Sequence, residues 1–255
     1  MLLVIDVGNT NTVFGLFEGD EIIKTWRMST EQTKTSDEIG IVIRSFFENE
    51  EKDFRQIGGV IIGSVVPNMM YSLTHSVRKY LNTEPMIVTA DLKLDLEIVR
   101  DNPKTAGVDR VIDLVAAKEI YGMPSIVIDY GTANTFDVVN EKGQFITGFI
   151  TAGVKICAAA LNRKSAQLPE VELVAPESFV AKDTVKSLQV GVVAGRIGET
   201  VEIIKTLKES LNIPHAKVIA TGGLAQIIDP KNEIFDVYDP MLTLKGLKII
   251  YDKNK

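Results

Sequence analysis

The chain has a single cysteine and two histidines in 255 residues. Cys157 alone leaves no intrachain disulfide, and so few Cys and His residues are too few for a zinc site. Cys157 lies in the apolar run Ile156-Cys157-Ala158-Ala159-Ala160, which reads as a small buried hydrophobe rather than a reactive thiol. His75 sits among polar residues and His215 follows Pro214, so both read as surface residues. Long hydrophobic runs are missing as well: none approaches the roughly 18 residues that span a bilayer. The opening run, residues 1–5, stops at Asp6, too short for a signal peptide. The expected setting is therefore the cytoplasm, with no membrane partner. An excess of basic charge is lacking too. The net charge is -6, which gives no general reason to expect a nucleic-acid partner. Two glycine motifs are absent, Gly-x-x-x-x-Gly-Lys-Ser/Thr and Gly-x-Gly-x-x-Gly, so P-loop and dinucleotide-binding folds lose support.

What the chain does have is a repeated aspartate–glycine turn. Val4-Ile5-Asp6-Val7-Gly8-Asn9-Thr10-Asn11-Thr12 returns as Val127-Ile128-Asp129-Tyr130-Gly131-Thr132-Ala133-Asn134-Thr135, matching at six of nine positions at an offset of 123. One copy alone reads as a tight hairpin whose Asp and Asn satisfy local backbone. Two copies at matched strand ends read as paired acidic turns, each able to bring backbone N–H groups close to phosphate and to hold a cation through a carboxylate. An acidic protein binds an anion if such local donors or a metal ion supply positive potential.

Hydrophobic periodicity places three strands at residues 2–6, 12–17 and 21–26. Thr35 and Glu38 fit a capping box ahead of a helix whose apolar face is Ile39, Val42, Ile43, Phe46 and Phe47. A buried strand at 60–65, a helix opened by Pro67 and a short strand at 86–89 follow. The second half repeats the order with strands at 125–129, 135–140 and 144–150 and a helix near 153–162. It adds a long helix over 184–211, a strand at 217–221, a helix opened by Gly222-Gly223 and a last helix near 244–251. The reading is an α/β protein of two similar ribonuclease H-like lobes, residues 1–115 and 116–255. Each is a mixed sheet with flanking helices, and a cleft lies between them.

Two further segments carry candidate chemistry. Val218-Ile219-Ala220-Thr221-Gly222-Gly223 runs a strand into a glycine turn that lets backbone approach a nucleotide, although an ordinary strand-to-helix turn looks the same. Ala106-Gly107-Val108-Asp109-Arg110 precedes a helical pattern, with Asp109 and Arg110 toward its first turn. Asp109 there is either a cap favoured by the macrodipole or, with Arg110, a general base beside an anion anchor.

Taken in order, the motifs resemble those of type III pantothenate kinases over the full length. They are Asp6-Val7-Gly8-Asn9-Thr10-Asn11-Thr12, Ser64-Val65-Val66-Pro67, Asn102-Pro103, Gly107-Val108-Asp109-Arg110 and Asp129-Tyr130-Gly131-Thr132. Gln167-Leu168-Pro169, Lys182-Asp183-Thr184, Thr221-Gly222-Gly223 and Leu242-Thr243-Leu244-Lys245-Gly246-Leu247 complete the series. That family belongs to the superfamily of acetate and sugar kinases, actin and heat-shock ATPases. The resemblance implies transfer of the ATP γ-phosphoryl group to the primary hydroxyl of pantothenate, the first committed step toward coenzyme A. It implies that Asp109 accepts the hydroxyl proton and that Gly107, Val108, Asp109 and Arg110 hold pantothenate with Thr184. Asp6, Val7, Gly8, Asn9, Thr10, Asn11, Thr12 and Val13 would line the ATP phosphates, with Asp6 organising Mg2+ through water. Thr132, and by their turn Gly222 and Gly223, would contact ATP, and Asp129 would bind K+ or NH4+. Members are usually homodimers.

On the acceptor side the chain departs from the family's usual pattern. Arg100 stands where a tyrosine is usual and could pair with the pantothenate carboxylate. Thr105 replaces a glutamate, Val108 an alanine and Gln167 a lysine. Asn134 stands where threonine is usual, Thr147-Gly148 replaces Gly-Gly, and Ala152-Gly153 replaces Pro-Gly. A same-fold kinase with another small hydroxylated acceptor and a non-catalytic regulatory paralogue are the alternatives. The presence of Asp6, Asp109 and Asp129 together speaks against the second.

Overall fold

Three antiparallel strands open the chain in a computed structural model that describes residues 1–255, the side chain of Lys104 excepted. They are β1 (Leu2–Val7), β2 (Asn11–Glu18) and β3 (Glu21–Ser29). Helix α1 (Ser36–Asn49) starts at the expected capping box: the Thr35 N–H donates to Glu38 Oε2 at 2.8 Å, and the Glu38 N–H donates to Thr35 Oγ1 at 3.3 Å. Strand β4 (Gly59–Ser64), helix α2 (Pro67–Leu81) and strand β5 (Met86–Ile87) follow. The first sheet runs β3-β2-β1-β4-β5. Strand β1 is antiparallel to β2 and parallel to β4, so the sheet is mixed. Leu3, Ile5 and Val7 of β1 and Ile62 of β4 pack with Ile39 and Ile43 of α1 and Leu73 and Val77 of α2.

The second sheet is built the same way from β6 (Glu97–Ile98), β7 (Ser125–Tyr130), β8 (Ala133–Val139), β9 (Gln144–Ala152), β10 (Lys217–Thr221) and β11 (Val237–Tyr238). Its order is β11-β10-β7-β8-β9-β6. Read from the other end and without β6, this is the order of the first sheet. The helices are α3 (Val108–Tyr121), α4 (Val154–Lys164), α5 (Thr184–Ser210), α6 (Ala225–Ile228) and α7 (Leu242–Asn254). Helix α5 begins where the Asp183 carboxylate accepts from the Lys186 N–H at 2.8 Å. Ile126, Ile128, Phe136 and Val138 pack with Val154, Val193 and Leu207. The chain is thus α/β with two similar mixed sheets and flanking helices.

Two compact units emerge. One holds Met1–Asp95, Lys104–Ala116 and Thr243–Lys255; the other holds Leu96–Pro103 and Ala117–Leu242. These bounds differ from a division into 1–115 and 116–255: residues 96–103 group with the second unit, and Ala116 and residues 243–255, which carry α7 beyond Leu242, group with the first. Close approach explains the placement of α7. A Cβ at Gly15 would lie 3.0 Å from Leu244 Cδ1, and one at Gly63 3.1 Å from Leu247 Cδ2, so the sheet surface is bare where α7 rests. Polar contacts fasten it: Thr243 Oγ1 donates to Asp113 Oδ1 and Lys248 Nζ to Asp20 Oδ1, each at 2.7 Å.

Candidate functional site

In the first unit Asp6, next to the end of β1, is half-buried between Val13 of β2 and Gly63 of β4. Val7 and Thr12 are buried, Gly8 and Val13 half-buried, and Asn9, Thr10 and Asn11 exposed. The turn closes through Gly8 N–H on the Asn11 carbonyl at 3.0 Å. Thr12 has 0% exposure, and its hydroxyl meets Thr30 Oγ1 at 3.0 Å. Thr30 in turn donates its hydroxyl to the Gly8 carbonyl at 2.7 Å and its N–H to the Thr10 carbonyl at 3.0 Å. Sequence reasoning missed Thr30, since it follows β3 and belongs to no recognisable motif.

In the second unit Asp129, next to the end of β7, lies between Thr135 of β8 and Thr221 of β10. Two glycines flank its carboxylate. A Cβ at Gly131 would lie 3.2 Å from Asp129 Oδ2, and one at Gly222 would lie 2.5 Å from Asp129 Oδ1. Gly222 has φ +86°, a conformation that L side chains rarely adopt. The second and third glycine turns of the sequence therefore meet at one carboxylate. Tyr238 donates its hydroxyl to the Gly222 carbonyl at 3.4 Å. Burial, then the Asp239 charge, raises the Tyr238 phenol above its usual value, so it stays a donor. Thr132 and Gly223 are exposed beside this group.

The Gly107-Val108-Asp109-Arg110 segment lies in the first unit, where it opens α3. Asp109 Oδ1 accepts the Arg110 N–H at 2.8 Å, and a Cβ at Gly107 would stand 2.6 Å from the same oxygen. Gly107 thus leaves that oxygen uncovered by a side chain, in the first turn of α3. Arg110 is 7% exposed. Arg100 and Thr184 belong to the second unit. The Arg100 guanidinium lies 5.0 Å from the centre of the Phe145 ring, a cation–π contact that sequence reading did not foresee. Thr184 is exposed at the first turn of α5.

The sequence profile of type III pantothenate kinases matches residues 2–206. A type III pantothenate kinase from Agathobacter rectalis is 46% identical over 253 residues, covering 99% of this chain and 97% of the relative. One from Halalkalibacterium halodurans is 43% identical over 254 residues and covers 100% of both chains. The chain belongs to the type III pantothenate kinase family. Two solved structures share the fold at low identity. A protein of the Baf transcriptional activator family from Campylobacter jejuni has a TM-score of 0.58 at 19% identity, covering 98% of this chain and 97% of its own. A protein described as a 2-dehydro-3-deoxygalactonokinase from Sinorhizobium meliloti reaches 0.63 at 9%, covering 98% and 96%.

A kinase uses ATP with a divalent metal, and phosphoryl transfer relies on positioning and charge neutralisation. Among the described residues no group of three or more His, Cys, Asp or Glu is placed to hold a metal ion. A single carboxylate such as Asp6 suits Mg2+, which keeps waters and takes its other ligands from phosphate. The other polar candidates lie apart from this chemistry. His215 is exposed 3.3 Å from Glu141, His75 is exposed against Tyr71, and the half-buried Cys157 donates to the Ala152 carbonyl at 3.7 Å. A cavity of about 630 Å3 lined by Val201, Ile204, Lys205 and Ile234 includes none of the candidate residues.

Proposed function

We propose that the chain phosphorylates the primary hydroxyl of pantothenate with ATP in the cytoplasm, by the following division of labour. The observation that carries this reading is the family match together with Gly107-Val108-Asp109-Arg110 at the start of α3. Asp109 is the base. One oxygen is held by the Arg110 N–H, which orients the carboxylate and leaves the other oxygen for the substrate hydroxyl. Gly107, Val108 and Arg110 with Thr184 bind pantothenate, and Arg100 supplies a guanidinium for its carboxylate. Residues 6–13 present backbone donors to the ATP phosphates. Thr132, Gly222 and Gly223 line the nucleotide on the second unit. Mg2+ near Asp6 and K+ or NH4+ near Asp129 would neutralise phosphate charge when bound. Phosphoryl transfer needs mainly positioning and charge neutralisation, which these elements supply.

A homodimer fits the second unit, which exposes large apolar side chains at Phe149, Ile150, Ile156, Leu161, Phe179 and Val180. The deciding experiment is a coupled kinase assay with pantothenate and Mg-ATP, with and without K+. Turnover stimulated by K+ is expected. Absence of turnover on pantothenate together with turnover of another alcohol overturns the acceptor assignment. Asp109→Asn is expected to abolish turnover while ATP binding, read by calorimetry, persists. Near-normal turnover by that variant removes Asp109 as base.

A further inference from the structure

We propose that Thr30 is a positioning residue of the reaction, one that orients the first glycine turn toward the nucleotide. The proposal rests on the assignment of residues 6–13 to the ATP phosphates. A hydroxyl has one hydrogen to donate. Thr30 gives its hydrogen to the Gly8 carbonyl at 2.7 Å, so in the 3.0 Å contact between the two hydroxyls Thr12 is the donor. The backbone N–H of Thr30 holds the Thr10 carbonyl. One residue therefore grips two carbonyls of the turn, at Gly8 and Thr10.

The peptide plane turns this grip into a function. In a trans peptide the C=O and the following N–H point in opposite directions. Fixing the Gly8 carbonyl toward Thr30 directs the Asn9 N–H away from it, and fixing the Thr10 carbonyl does the same for the Asn11 N–H. Asn9 and Asn11 are both exposed. The result is a pair of donors directed away from Thr30 and held in place before any anion arrives, an arrangement suited to binding phosphate without reorganisation.

Closure of the hairpin does not by itself need this hydroxyl. In the second unit Thr135 pairs with Ile150 and Ala133 with Ala152, so Gly153 comes opposite Thr132 as Thr30 comes opposite Thr10. A Cβ at Gly153 would collide with the Thr132 carbonyl. That turn closes with no side chain at all in the place of Thr30. The hydroxyl is thus an addition of the first turn, the one assigned to the phosphates.

The test compares Thr30→Val, which keeps the branched shape and removes the hydroxyl, with Thr30→Ser, which keeps it. Thr30→Val is expected to raise the KM for Mg-ATP about tenfold, the worth of one hydrogen bond to a site held in place. The KM for pantothenate should stay within about twofold. Thr30→Ser is expected to restore the KM for Mg-ATP to within about threefold of the parent. A Thr30→Val enzyme with unchanged KM for Mg-ATP, equal rises in both KM values, or failure of Thr30→Ser to rescue overturns the proposal. If Thr30→Val does not fold by circular dichroism, Thr30→Ala read by the same two KM values takes its place. Asp6→Asn in the same assay separates the premise from the inference. Unchanged Mg-ATP kinetics there overturns the phosphate assignment itself, whereas a defect in Asp6→Asn beside a normal Thr30→Val overturns only the role of Thr30.

Discussion

The first acidic turn carries four residues, Gly8 to Asn11, between its paired ends Val7 and Thr12. The second carries three, Gly131 to Ala133, between Tyr130 and Asn134. That single residue changes how each turn is held. The longer turn is stapled by hydroxyls, Thr12 to Thr30 and Thr30 to Gly8. The shorter one is held by close approach, with Gly153 packed on the Thr132 carbonyl and Gly131 and Gly222 against Asp129. At the position of Thr12 stands Asn134, 1% exposed, and neither its amide oxygen nor its nitrogen has a hydrogen-bond partner among the described residues. Two turns of common design thus reach rigidity by different means. Hydroxyl hydrogen bonds hold the first turn, and close-packed glycines hold the second.

The contrast has measurable consequences. Gly153→Ala should be the most damaging change, costing about 3 kcal/mol by forcing a methyl into a backbone carbonyl. Gly8→Ala meets only the Asn11 carbonyl, at 3.1 Å, and should cost about 1 kcal/mol or less. Equal losses in urea unfolding would erase the distinction between the two turns. On activity, Asp129→Asn should remove the response to K+, lowering the rate about tenfold or more at saturating K+. Asp6→Asn should keep that response and weaken the use of Mg-ATP by a similar factor. If both variants lose K+ activation alike, the two aspartates do not divide the cations. Next in size, Thr12→Val should destabilise by about 1 kcal/mol, whereas Asn134→Val should stabilise by about 1 kcal/mol, because only the first removes a bonded group. Opposite signs in the shift of Tm are the readout.

The smallest effect belongs to the first unit alone. Asp37 of α1 accepts from Lys79 at 2.7 Å and Tyr80 at 3.0 Å on α2, and these hydrogen bonds, Lys79 first, hold its carboxyl below the ordinary 3.8. A depressed value stabilises the fold above pH 3.8 and ceases to do so as the pH falls through the lower folded value. The pair is exposed, so Asp37→Asn should lower Tm slightly at pH 7 and leave it unchanged near pH 2. A constant difference across that range removes Asp37 from the acid response.

Periodicity and caps make most of the fold legible in the sequence. Thr35 and Glu38 mark the start of α1, and the strand expected at residues 217–221 forms over those same residues. The two-residue strands β6 and β11 were invisible because so short a segment carries no period. The helix after Gly222-Gly223 lasts only four residues, since Pro230 disfavours helical backbone at Asp229 and the Asp229 carboxylate takes the N–H groups of Glu233, Ile234 and Phe235 instead. The repeat itself was half legible. Aligned without a gap it equates Thr12 with Thr135, whereas strand register equates Thr12 with Asn134. A one-residue difference in turn length is hidden when Asn-Thr follows in both copies. Thr30 and Gly153 were out of reach for a related reason: their meaning comes from the facing strand.

Helix α7 follows the second unit in sequence yet belongs to the first, with Leu244, Leu247 and Tyr251 set against Gly15, Gly63 and Gly59. During synthesis the second unit is complete once residue 242 has left the ribosome, while the first still lacks one wall. Its apolar sheet face stays open to chaperones until residues 243–255 have been made. Loss of residues 243–255 therefore strikes the part of the protein made first.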